Sequence, residues 1–584
     1  MYKPILYNTE KSRKLVSYFS GYENNLIIDE NAMCYEENMS SDHYPVMAPR
    51  KKRGYFNVAG KMLCDLHSKT KICYVNNGRL YYDGNPVTDL YFPSEVENRS
   101  FVSMGTKLVV FPDKVYINTA DFDDYGELES LFWGEKAECT LCRGDGDLYE
   151  NYTVNKKPPQ EPEHGDLWVD TSSVPHTLKQ YSSDTKTWVE IIDNFVRISC
   201  SGIGLEFNKY DSVFLKGFGK IGLNGSTIIY DKSEDFIVVP GMLDQNTTIE
   251  GDFFVERKVP DMDFVCESGN RIWGCSSKTN EIFASKLGDP TNFYSYMGVS
   301  TDSYGASVGS DGPFTGVIGY RGYVLFFKEN CVHKIYGQNP PYTITTSYIR
   351  GVQNGSSKSL CCLNDTLYYK SPTGVCTYNG GIPVEISSAL GWIHYRDAVA
   401  GVLKNKYYIC MTNPQNEREL FVYDEDKSLW HREGIFDVLE FAENNLNLYF
   451  IADERNTHRL GIIDGENKYG EFNGQLTSYR IEENVEWCVE SGLWGLELPE
   501  NKYYSSVIIK AIGEKGATLK VLFQFNSDGK WIEQMSVKVS HTGSLVLPFI
   551  TPRCDHLRMK ITGTGNVKII NISRKTEAGS DLNV

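Results

Sequence analysis

No apolar run in this 584-residue chain approaches the roughly 20 residues of a membrane-spanning helix, so a chain without membrane insertion is expected. Basic charge is also short. Lys and Arg number 59 against 76 Asp and Glu, for a formal net charge of −17 and a pI of about 5.2. That balance argues against a general nucleic-acid-binding surface and against attraction to an anionic membrane. The fifteen cysteines are odd in number and scattered. The opening stretch MYKPILYNTEKSRKLVSYF carries charges every few residues and lacks the continuous apolar segment of a secretory signal. Synthesis in a reducing cytoplasm, with free thiols, is therefore expected, and the Asn-X-Ser/Thr matches at Asn151, Asn224 and Asn354 carry no weight.

Aromatic residues and glycine are plentiful. Tyr 38, Phe 28, Trp 9 and Gly 51, with strands punctuated by NG, DG and GN pairs, indicate an all-β protein whose turns need positive φ. Residues 271–470 repeat one unit: an aromatic or apolar strand, a polar turn, a second strand often ending in Tyr or Ile, then Gly or Asp. Leu325, Tyr368, Tyr408 and Tyr449 mark a step of about 40 to 44 residues, and Trp273 precedes Leu325 by roughly 50, a period that belongs to four-stranded propeller blades. A blade cannot bury both faces alone, so such units must stack.

The expected fold is all-β and multidomain, with a β-propeller-like core, inserted small β-domains and a C-terminal β-sandwich. Residues 1–57 read as a polar, irregular N-terminal arm. Residues 58–125 read as first blades of the propeller that continues over 261–472. The intervening 126–260 form an insertion: a short helix at GELESLFWGEKAE, a Pro-bounded hairpin module at 158–192, and a small barrel or sandwich over 196–259. A linker near 473–484 leads into about six strands over 485–584, the sandwich.

Several motifs suggest chemistry that their context does not support. GASVG, ending at Gly309, matches a nucleophile elbow around Ser307, but the sequence after it reads as turn and strand where the elbow needs a helix. Cys139 and Cys142 form a lone C-x-x-C without the second pair of a zinc ribbon, and read as a buried structural pair. Cys361 and Cys362 point to opposite faces of a strand. GDGD at residues 144–147 is one copy of what would need an array to bind calcium. Turns ending at Trp188, Trp430 and Trp531 look like the Asp-box hairpins of sialidases, but they fall in three different domains and none has the full spacing. No catalytic, cofactor-binding or metal-ligating residue is assigned, and the chain is expected not to be an enzyme. The basic run Arg50, Lys51, Lys52 and Arg53 is the one cationic cluster of note, and reads as a contact to an acidic neighbouring subunit or a solvated loop.

MSSDHYPVMAPRKKRG, ERKVPDMDFVCESGNRIWGCSS, IFASKLGDPTNFYSY, SVGSDGPFTGVIGYRGYVLFFKENCVHKIYG and ITGTGNVKIINISRKTEAGSD resemble the tail hub, nozzle or tail stabilisation proteins of short-tailed bacteriophages over most of the chain. GDLWVDTSSVPHTLKQYSSDTKTWVEI is similar to small β-modules of phage tail and fibre proteins, some related to carbohydrate-binding folds. The resemblance implies a virion tail protein assembled in the host cytoplasm as a homo-oligomer, a hexameric ring below the portal and adaptor. Its partners would be that portal and adaptor ring and the tail fibres or tail tip proteins, and the ring would extend and gate the DNA ejection channel. Duplex DNA would pass without specific binding, along a wall that is mainly acidic or neutral, because each Lys or Arg contact to phosphate adds affinity that slows passage. Two other readings stay open. One is a receptor-binding adhesin in which Trp168, Tyr181 and Trp188 stack on sugar rings, told apart by its stoichiometry. The other is a propeller glycosidase, recognised by carboxylates and arginines converging at one mouth of the propeller.

Overall fold

The computed structural model describes residues 11–93, 99–337, 339–466, 479–497, 501–547 and 552–578. Among them the elements are strands and four 3-10 turns, with no α-helix, so the all-β, propeller-like expectation holds. The linker expected at 473–484 lies outside the described residues as far as 478.

Among the described residues, and besides the small sheet of residues 153–190, seven sheets follow one plan, with at least three successive strands neighbouring each other in chain order. They begin at Leu63, Ser100, Phe264, Gly316, Cys361, Arg396 and Val438. Turn chemistry sets their register. In the sheet of residues 63–91, Asn77 and Gly78 (φ 51° and 74°) and Asp83 and Gly84 (φ 52° and 84°) close successive two-residue hairpins. Left-handed φ at both central positions is the requirement of a type I′ turn, which these NG and DG pairs meet at little cost.

The chain divides into two compact units, residues 1–97, 325–334 and 346–584, and residues 98–324 and 335–345. In the first unit, blade strands are buried on both faces, which is why Lys406–Thr412 reads as a nearly unbroken apolar run. Tyr407, Ile409 and Met411 face Tyr368 and Val375 of the preceding sheet, while Tyr408 and Cys410 face Val438, Leu448 and Phe450 of the next. The strand Gly54–Gly60 pairs with His458–Ile462 and so completes, from the N-terminal side, the sheet begun by Val438–Asn444.

The sandwich in this unit packs a four-stranded sheet on a five-stranded one around Val507, Ile509, Leu519, Val521, Leu557 and Ile561. Its edges are not local. Lys11–Val16 pairs with Val567–Ala578, and Met33–Glu37 pairs with Glu486–Ser491. The expected irregular arm is thus corrected: its residues supply an edge strand to each sheet, covering backbone that would otherwise stand open.

In the second unit, the helix expected at 126–138 is instead part of the long strand Ser130–Cys142, paired on one side with Thr247–Arg257 and on the other with Phe195–Ser199. The spacing of Leu128, Leu131, Phe132 and Trp133 suits a helical face. Cross-strand partners on both sides outweigh that local pattern. The strand is central to a seven-stranded sheet whose core holds Ala137, Val196, Ile198, Leu215, Ile237 and Phe253, so the insertion's main sheet starts at 130 and not at 196. Thr153–Asn155, Leu167–Asp170, Thr177–Ser182 and Thr187–Glu190 make the small module, whose core of Val169 and Leu178 closes on Leu141 of the large sheet.

Candidate functional site

The basic run lies inside the first unit, and three of its four cations are paired there. Arg50 makes a bidentate bond to Glu482 (2.8 and 3.1 Å) and donates to Asn38 Oδ1 at 2.7 Å. Arg53 bonds Glu433 at 2.5 Å and stacks on the Phe436 ring 3.7 Å from its centre. Both arginines are buried, and Lys51 pairs with Asp464 at 2.7 Å. The placement of Arg50 and Arg53 at a subunit contact is therefore corrected: their acids come from this same chain, some 380 to 430 residues onward. Lys52 is half-buried and has no ion pair among the described residues. Burial works against the Glu482 carboxylate, but the bonds from Arg50 outweigh it and hold that carboxyl below its usual range.

In the 3-10 turn Ser357–Ser359, just ahead of the strand that starts at Cys361, Lys358 pairs with Glu440, which also accepts from the Leu66 amide. Burial lowers Lys358, and Glu440 and then Asp65 more than restore its charge.

The alternation of antiparallel strands puts a second set at one end of their sheets. Arg350 pairs with Glu385 (2.9 Å), Arg396 with Asp397, Arg418 with Asp437 (2.9 Å) and Arg459 with Glu454 (3.0 Å). Arg418 also donates to the carbonyls of Val438 (2.7 Å) and Asp397 (3.3 Å), so it clamps two sheets. Burial, and to a lesser degree Asp453, raise the Asp437 carboxyl, while Arg418 and His458 pull it down, and the net direction is up. A raised carboxyl beside a second carboxylate can act as an acid, although the arginines here are already engaged.

In the module, Trp168 is buried and donates its indole N–H to the Asn155 carbonyl at 2.8 Å. Trp188 meets Trp168 and Tyr181 with ring centres 5.4 Å apart in each case. The three rings do come together, but they pack on one another. The buried Trp168 offers no free face to a sugar, so its expected stacking role is corrected.

Ser307 ends an outer strand, Tyr304–Ser307, and the next element is the strand Gly316–Tyr320, so no elbow forms. Cys139 and Cys142 are both buried but lie in separate cores, each thiol pushed up to about 12 by burial, so they are not a pair. Among the described residues no cluster of metal-ligating side chains occurs.

Sequence reading missed an apolar hollow of about 540 Å³ in the first unit. Leu26 and Ile27 of the N-terminal segment, Trp392 and Ile393 of a blade loop, and Leu496 line it, with Arg558. Leu26 and Trp392 are each 95% exposed and Ile27 73%. The Asn24 amide bonds the Ala389 carbonyl at 2.7 Å, which brings the two segments together. Isolated apolar letters in polar loops gave no periodic signal from which to find it.

No protein-family model matches the chain, and no curated protein matches it. Among solved structures it is similar to an exo-β-1,3-galactanase from Phanerochaete chrysosporium, at 10% identity over 53% of this chain and 94% of that one, with a TM-score of 0.22. It is similar to PorZ, a surface component of the type-IX secretion system of Porphyromonas gingivalis, at 11% identity over 83% and 70%, with a TM-score of 0.25. A third is the endosialidase of phage phi92, at 8% identity over 82% and 76%, with a TM-score of 0.19. Glycoside hydrolases and an endosialidase stand among these neighbours, and against that finding the expectation that the chain is not an enzyme is withdrawn. At such TM-scores the likeness assigns no reaction to this chain.

Proposed function

We propose that this chain is a tail protein of a short-tailed bacteriophage, a nozzle or hub whose copies assemble into a ring around the DNA ejection channel. The observation that carries the reading is the apolar hollow. A contiguous exposed patch with a fully presented Trp marks a docking surface, and copies that each bear −17 repel one another, so a ring needs apolar contacts to form. A second copy is the occupant we assign to the hollow. Trp392→Asp, alone and with Leu26→Asp, should turn the assembly into folded monomers by mass photometry. An assembly that survives both substitutions argues against the reading, as does a wild-type chain that is monomeric at micromolar concentration.

A second reading is a protein that binds or cleaves host-surface glycans. The arginine and carboxylate pairs at one end of three sheets favour it, with Asp437 as the raised carboxyl, and it is the reading to which the neighbours' names are closer. Release of reducing sugar from host glycans that is lost in Asp437→Asn would establish it, and a monomeric or trimeric state would separate it from the ring.

A further inference from the structure

The insertion carries a cleft of about 540 Å³ that no motif announces, within the range of roughly 300–1,000 Å³ typical of small-ligand sites. It lies between the module and the loops of the seven-stranded sheet. Tyr149 and Tyr152 pack against the small core of Leu141, Val169 and Leu178 and line the cleft as well. Polar groups stand around them. Tyr152 donates its hydroxyl to Asn246 Oδ1 at 3.3 Å, Asp244 is held by His176 at 2.5 Å, and Asp166 accepts from the Glu163 amide at 2.8 Å. Asn151, Gln245 and Asn246 add exposed amides.

The geometry points to a binding site for a neutral glycan in this cleft. A sugar ring presents a face of C–H groups and a rim of adjacent hydroxyls that both donate and accept. The first suits an aromatic face, and the second suits planar amides and carboxylates, which supply complementary donors and acceptors in pairs. Charge decides the class of glycan. Glu150, Asp166 and Asp244 line the cleft, and no lysine or arginine does. Arg143, whose guanidinium sits 5.4 Å from the Tyr149 ring centre, is not among the lining residues. A sialylated, sulfated or phosphorylated ligand would meet the carboxylates of Glu150 and Asp166 with no lysine or arginine in the lining to offset them. Burial raises the phenols of Tyr149 and Tyr152, so both stay neutral hydroxyls at physiological pH. Tyr152 is the better platform, since Arg143 occupies a face of Tyr149. The inference stands whether or not the chain forms a ring, because every lining residue lies between 149 and 246.

The test uses the full chain on an array of neutral, acidic and amino-sugar oligosaccharides, followed by calorimetry on the best ligand. Neutral hexose or N-acetylhexosamine oligosaccharides should bind. Gln245→Ala with Asn246→Ala, two exposed positions, should weaken that binding by about tenfold with an unchanged melting temperature. Trp188→Ala should leave it unchanged. Preference for acidic or cationic sugars, no neutral glycan bound at millimolar concentration, or full binding by the double variant would each overturn the proposal.

Discussion

Arg53 and Glu433 are both buried and each is the other's partner, with Arg50 Nε 3.6 Å from the same carboxylate. Removing Arg53 leaves the buried Glu433 with only the more distant Arg50, so Arg53→Ala should cost about 3–5 kcal/mol in chemical denaturation, whereas Arg53→Met with Glu433→Leu should recover most of it. Recovery by the double variant is the part that a simple cavity would not produce. Glu482 carries a pH signature. Its folded carboxyl lies below its usual value, so its contribution is complete above about pH 4.3 and is lost as pH falls through the folded value. Denaturation midpoints followed from pH 7 to pH 3 should fall more steeply in the wild type than in Glu482→Gln below about pH 4. Parallel curves would show that Arg50 contributes nothing through this pair. The basic run was legible as a cluster, but its role was not, because its acids lie hundreds of residues away and only the fold brings them near.

At the scale of elements, strands with local partners were legible and strands with distant ones were not. Lys406–Thr412 and Asn447–Asp453 sit between hairpin neighbours, and their continuous apolar runs announce burial on both faces. Lys11–Val16 has no such run, because an edge strand buries little. Its partner begins at Val567, so it read as an irregular arm. Ser130–Cys142 was misread because its outward positions Leu131 and Trp133 are apolar too, which hides the period of two and leaves Leu128, Leu131 and Phe132 at helical spacing. The module at 158–192 has so small a core that its deletion should leave the remainder folded. The uncovering of Leu141 should cost about 1.5–3 kcal/mol. A soluble deletion variant with native far-ultraviolet dichroism and a modestly lowered melting temperature is expected, and insoluble protein would show that the large sheet depends on the module. The same deletion should remove glycan binding, since Asp166 and Leu167 leave with it.

At the scale of the whole molecule, the class of fold was legible from period and composition, and the surfaces that meet other molecules were not. Leu26, Ile27, Trp392 and Leu496 come from three stretches of chain, and nothing in any one stretch marks a docking surface. Six copies would carry roughly −100, so the ring reading requires the apolar hollow to overcome repulsion that salt screens. The most direct test of that reading is projection imaging of the purified full chain at physiological ionic strength. The account predicts a closed ring of about 400 kDa, six copies of a 66.2 kDa chain, with an open axial hole wide enough for duplex DNA. A population of monomers or trimers without an axial hole would contradict it.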